Sequence, residues 1–294
     1  MLQPLNRFLL LQPVWLPTVL FIPLLYALGW LAAVPLTLLG LPAERVSLTG
    51  TVLSFVLFLL VMPRWATLRW SEAQPWRRLG LIARKPKARI DHVISLGVGL
   101  LMSTALIGLI VSLLVFTGNG SWRGDLEAQA MLNCLLLAFG VGFAEEIIFR
   151  AWLWEELTKI LGSRGGLLTQ AALFSLVHTR FNLGFGPMLG LLTGLFLLGL
   201  ILALLRLRDQ CSLWGCIGLH GGLVGGWFLA HQNLLMIDPN APMWLVGPGG
   251  PNANPLGGMV AIMSLTAIGS LLIQSTKPMR LRQSTNSAHD EQQC

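Results

Sequence analysis

Three charged residues sit inside an apolar run: Glu145, Glu146 and Arg150 in VGFAEEIIFRAWLW, residues 141–154. A charge in the hydrocarbon core of a bilayer costs at least ~2.5–3.5 kcal/mol on insertion scales, so such residues are functional suspects by default. Glu146 and Arg150 are spaced i, i+4 with the acid first, the favourable order for an ion pair along one helix face. Glu145 is rotated about 100° from its neighbour. It is therefore the carboxylate left free, unless all three residues simply mark an interfacial helix end. His178, in LFSLVHTRF, follows Phe174 by four residues in what reads as a short fifth helix. His220 lies in LWGCIGLHGGLVGGWFLAH, among Gly215, Gly218, Gly221, Gly222, Gly225 and Gly226. Those glycines let another backbone come close or leave room for a substrate. At 1.5 Å per residue, Glu145, His178 and His220 fall at similar depths, roughly 14–20 Å from the cytoplasmic helix ends. A carboxylate and two imidazoles in one pocket are what peptide hydrolysis asks for, a base for water and donors for the oxyanion. The same set could instead ligate zinc, and the reading favours no cofactor. Helix packing is the competing role for each histidine. His92, His231 and His289 receive no chemical role.

These residues must be positioned by membrane helices. The 294-residue chain is 54% hydrophobic and only 11% charged, against about 25% charged in a soluble domain. Apolar segments fall at roughly 13–41, 48–63, 92–117, 128–149, 166–178, 187–205, 211–231 and 257–274. The expected fold is all-α, a polytopic bundle of about eight transmembrane helices with both termini cytoplasmic. That orientation puts every Lys and Arg except Arg45, Arg123 and Arg180 on the cytoplasmic side, as the positive-inside bias requires. The net charge of +7 is then explained by topology and anionic lipid, and nucleic-acid binding is not expected. No signal peptide is evident at the start.

Residues 1–127 read as N-terminal transmembrane helices with a basic cytoplasmic loop at 63–89, whose Trp, Arg and Lys suit headgroup depth. Residues 128–275 form the expected catalytic core. Within it, 232–258 reads as a non-helical connection on the outer side, and the glycine steps of 189–199 as close helix packing. Residues 276–294 read as a disordered cytoplasmic tail. Cys134, Cys211 and Cys216 read as packing thiols and Cys294 as a tail thiol; none forms a CxxC pair.

Taken in order, EEIIFR (145–150), FSLVH (174–178) and GLHGG around His220 resemble the EExxxR, FxxxH and histidine motifs of the CAAX-protease and bacteriocin-processing family of intramembrane proteases, also called CPBP or Abi. The resemblance spans about 128–232. It implies Glu145 as general base aided by His178, Glu146 and Arg150 as an ordering pair, and His220 as oxyanion stabiliser. Family members are described both as metalloproteases and as metal-free glutamate enzymes. The family's asparagine four residues after the histidine is Val224 here. The resemblance implies an intramembrane endopeptidase acting on a membrane-associated or prenylated-like peptide, in a bacterial cell membrane or another internal membrane. Val224 keeps a second reading open, a non-catalytic scaffold or bacteriocin-immunity protein on the same fold. A proton-coupled transporter is a third, weakened by the lack of an inverted repeat. The expected partners are membrane lipid and a peptide or protein substrate.

Overall fold

The computed structural model describes residues 2–83, 88–250 and 253–286. The chain divides into two compact units, residues 1–78 and 79–294. Among the described residues, five helical runs are long and apolar enough to cross a membrane: Trp15–Leu39, Ala43–Trp70, Asp91–Phe116, Ala128–Leu176 and Phe185–Arg208. Helix dominates because backbone groups in lipid must be satisfied within their own segment.

The first unit holds α1 (Leu2–Leu9), α2 (Trp15–Ala33), α3 (Val46–Trp65) and the short α4 (Pro75–Arg78). Helices α2 and α3 pack through a small-residue contact, where Gly29 lies against Ser54 and the Gly50 carbonyl. At the end of α3, Trp65 is completely buried, its ring 4.4 Å from that of Phe21. Arg69 lies over the Trp65 ring and donates to the carbonyls of Leu9 and Val14. These two side chains close the unit's own core, with the carbonyls of the N-terminal segment beside them as acceptors. Residues 84–87 of that loop lie outside the described residues.

The second unit carries α5 (Ala88–Phe116), α6 (Ala128–Glu146), a π-helical run Ile147–Leu153, α7 (Trp154–Leu176), α8 (Phe185–Arg208), α9 (Trp214–Leu229), α10 (Met243–Val246) and α11 (Met259–Asn286). From Ala128 to Leu176 the helical path is 49 residues, about 74 Å at 1.5 Å per residue, more than twice a hydrocarbon core. It breaks at Gly162, whose φ of 73° and ψ of 171° are not helical. That is the turn expected at GSRGG. Helix α11 runs on to Asn286, through part of the segment read as a disordered tail; residues 287–294 lie outside the described residues.

One element has no counterpart in the sequence reading. Residues Gly120–Trp122 (β1) and Leu235–Ile237 (β2) form an antiparallel ribbon, pairing Ser121 with Met236. The 232–258 connection is otherwise turns and short helices, with Met236, Met243 and Trp244 exposed.

Helix α9 is threaded between α5 and α6 on its glycines. A Cβ on Gly142 of α6 would stand 2.6 Å from the Gly221 Cα, and one on Gly221 would strike the Ala138 carbonyl. Gly225 faces Cys134, while Gly218 and Gly222 face Leu96 and Ser103 of α5. Of the two uses expected for these glycines, close backbone approach is the one found. On α8, Gly194 meets the Leu256 carbonyl and Gly199 meets Ala171, again packing. Cys134 and Cys216 are free, but Cys211 is disulfide-bonded, which corrects its reading as a packing thiol.

Candidate active site

The site is assembled where the end of α6 meets α9 and the end of α7. Close approach at Gly142 and Gly221 brings the His220 ring to both carboxylates. Its Nδ1 is 2.7 Å from Glu146 Oε1, and its Nε2 is 3.8 Å from Glu145 Oε2. His178 reaches the same Glu145 oxygen, with Nε2 at 3.7 Å. The three residues expected to share a pocket therefore converge on one atom, although Glu145 Oε2 itself has no hydrogen-bond partner among the described residues.

Both imidazoles are oriented from behind. His178 Nδ1 lies 2.7 Å from the Phe174 carbonyl, an acceptor, so Nδ1 carries the proton. His220 Nδ1 faces a carboxylate oxygen held 3.2 Å from Arg150 Nη1, which likewise makes Nδ1 the donor. In each ring Nε2 is then the atom turned toward Glu145. This is a tautomer assignment made from the hydrogen-bond partners.

His178 lies just beyond the helix expected to carry it. Helix α7 ends at Leu176, and His178 N–H bonds to the Ser175 carbonyl in the following turn. Its side chain is one-third exposed. Glu145 is exposed to a similar degree, whereas Glu146 and Arg150 are fully buried and His220 nearly so. The open side of the site is the side of Glu145 and His178.

Phe174 organises the centre. The Arg150 guanidinium carbon lies 3.8 Å from its ring centroid, a desolvated cation–π contact. His220 meets the same ring edge-on at 5.5 Å and 89°, and His178 packs at 4.9 Å. Phe149 adds a T-shaped contact at 5.3 Å. Residue spacing alone assigned no role to Phe174 or Phe149; the i, i+4 relation of Phe174 to His178 was the available signal.

Glu146 serves two partners where one was expected. It pairs with Arg150 on its own helix and also anchors His220 from α9 through the same oxygen. A 100° rotation between Glu145 and Glu146 does not send them to different places. It lets them grip opposite edges of one ring. Among the described residues, no group of three His, Cys, Asp or Glu side chains is arranged to hold a metal ion. An apolar cavity of about 330 Å³ lies elsewhere, lined by Leu81, His92, Leu96 and Trp214 among others, and shares no residue with this cluster.

Residues 127–225 match the family model for Type II CAAX prenyl endopeptidase Rce1-like proteins. Residues 3–74 match a domain of unknown function, DUF8676. No curated protein and no solved structure matches the chain. The segment bearing the three motifs is thus similar to Rce1-like CAAX endopeptidases, in line with the resemblance of its motifs. Its boundaries enclose Glu145, Glu146, Arg150, Phe174, His178 and His220.

Proposed function

We propose that this protein is an intramembrane endopeptidase that hydrolyses a membrane-associated or prenylated-like peptide with a glutamate-activated water. The observation that carries this reading is Glu145 Oε2, without a hydrogen-bond partner among the described residues and 3.7 and 3.8 Å from two imidazole nitrogens. Polar groups at that separation are suited to sharing a water. Glu145 takes one proton from the water as its oxygen adds to the peptide carbonyl carbon. His220 donates from Nε2 to the resulting oxyanion. With its Nδ1 proton committed to Glu146, the donating ring carries both protons, and the Glu146 carboxylate and the oxyanion together balance the charges of the ring and of Arg150. Glu145 then returns its proton to the leaving nitrogen as the C–N bond breaks. His178 orients water and base from the open side.

The same reading includes eight membrane passes with both termini cytoplasmic. It takes the path Ala128–Leu176 as two passes broken at Gly162, and adds α9 and the apolar part of α11. The positions of Lys and Arg support it.

The test is hydrolysis by purified protein in detergent, with an internally quenched farnesylated peptide and, separately, an apolar membrane peptide. Wild type should cleave one of them and Glu145→Gln neither. Val224 favours a second reading, a non-catalytic scaffold or immunity protein. Equal absence of cleavage in wild type and Glu145→Gln, with both folded, would select it.

A further inference from the structure

We propose that Arg206 is a positioning residue for this site, acting through the π-helical run that carries Arg150. In an α-helix the Trp154 N–H would bond to the Arg150 carbonyl, four residues back. Here it bonds to the carbonyls of Phe149 and Ala151, skipping Arg150. The donor that reaches the Arg150 carbonyl from outside is Arg206 Nη1, projecting from α8. The Arg206 guanidinium also lies 5.5 Å from the Trp154 ring centroid. Arg206 therefore touches both residues that an α-helical bond would have joined. Its burial, 2% exposed, sets it apart from the cytoplasmic surface charge that its sequence position suggests.

The link onward to the site is short. Arg150 directs its guanidinium onto Glu146 and the Phe174 face, and Glu146 holds His220. Freeing the Arg150 backbone changes where its guanidinium sits, and with it the oxygen that orients the imidazole. A planar guanidinium can donate to a carbonyl while stacking on an indole; an ammonium does only the first. π-Turns occur frequently at functional sites, and here one side chain secures it.

This inference rests on the hydrolytic reading of the site, and its test separates the two. Full-length wild type, Arg206→Met and Arg206→Lys are purified in detergent with ¹⁵N-labelled histidine. The expected result is a kcat lower by about 10²-fold for Arg206→Met, as for small misplacements of catalytic groups. Its KM stays within about twofold, since no substrate contact is lost. Arg206→Lys should fall between the two. The His220 Nδ1–H resonance, shifted downfield by Glu146 in wild type, should move in Arg206→Met and move less in Arg206→Lys. A merely structural role would reduce the folded fraction without moving that resonance in the molecules that remain folded. Should Arg206→Met fail to fold, Arg206→Lys decides the matter by the same two readouts. A folded variant with wild-type kcat and an unmoved His220 resonance overturns the proposal. If wild type cleaves nothing, the hydrolytic reading fails, and the resonance alone still decides the positioning role.

Discussion

Glu146 and His220 are 74 residues apart in the chain, yet a carboxylate oxygen of one lies 2.7 Å from the ring nitrogen of the other. The bond joins two helices inside a low-dielectric interior, and Arg150 stands 3.2 Å from the same oxygen. Glu146→Gln keeps the shape but removes the charge both partners rely on. Breaking a buried ion pair from one side costs about 3–5 kcal/mol, so thermal unfolding should shift down strongly. Activity should fall with it.

Glu145→Gln should behave differently. The Glu145 side chain is 28% exposed and its Oε2 is unpartnered among the described residues, so folding loses little. Loss of a general base lowers the rate about 10²–10⁴-fold. The expected signature is an unfolding midpoint near wild type with hydrolysis reduced by that factor. Equal destabilisation of both glutamine variants would contradict the division of labour between the two acids.

The glycines of α9 are separable by what an added methyl would meet. Gly221→Ala drives a Cβ into the Ala138 carbonyl, whereas Gly226→Ala meets only the tip of Ile107. Overpacking against backbone costs about 1–3 kcal/mol, while alanine in a helix regains up to about 1 kcal/mol. Unfolding should therefore rank Gly221→Ala well below wild type and Gly226→Ala at or above it. The opposite order would mean that α9 is not seated on α6 as described.

Val224 stands one helical turn beyond His220 in α9 and is half-buried. Val224→Asn adds a donor on the histidine's side of the helix. The expected outcome is a higher kcat with little change in KM, because the added contact forms in the transition state. Steady-state kinetics on both proteins checks it. An unchanged or lower kcat would remove residue 224 from the oxyanion side.

Sidedness is checked within the second unit. Arg164 and Trp244 are both exposed and are expected on opposite sides of the membrane. An impermeant maleimide added to intact cells should label Trp244→Cys and leave Arg164→Cys unlabelled. The reverse pattern would invert the topology.

The membrane class and the side-chain cluster were legible because both rest on residue type and spacing. Charges are scarce in apolar spans, so Glu145, Glu146, Arg150, His178 and His220 were conspicuous. Their convergence followed from helix depth, a matter of counting residues. Helix phase was harder to read. The i, i+4 rule found the Glu146–Arg150 pair but could not show that His220 arrives from α9 to share it, since that depends on interhelical approach. The β1–β2 ribbon escaped notice because three residues are too few to establish a period. Arg206 was read as a topological charge, because nothing in LLRLRDQ distinguishes a buried arginine from a surface one. The π-run left no mark either, as IIFRAWL is ordinary helical composition.

That π-run ties chain length to helical pitch. Wound at α pitch with all of its residues kept, the stretch Ile147–Leu153 would turn the start of α7 by roughly 100°, because a π-turn holds about one residue more than an α-turn. Trp154, Glu155 and Glu156, now buried, would face a different quarter of the bundle, while Glu145 and Glu146 stayed on the helix before it. Every reactive group would still be spelled out in the gene. The extra residue is what the π-run takes up, so a relative one residue shorter between Glu146 and Leu153 is expected to wind this stretch as ordinary α-helix and keep the same faces toward the site.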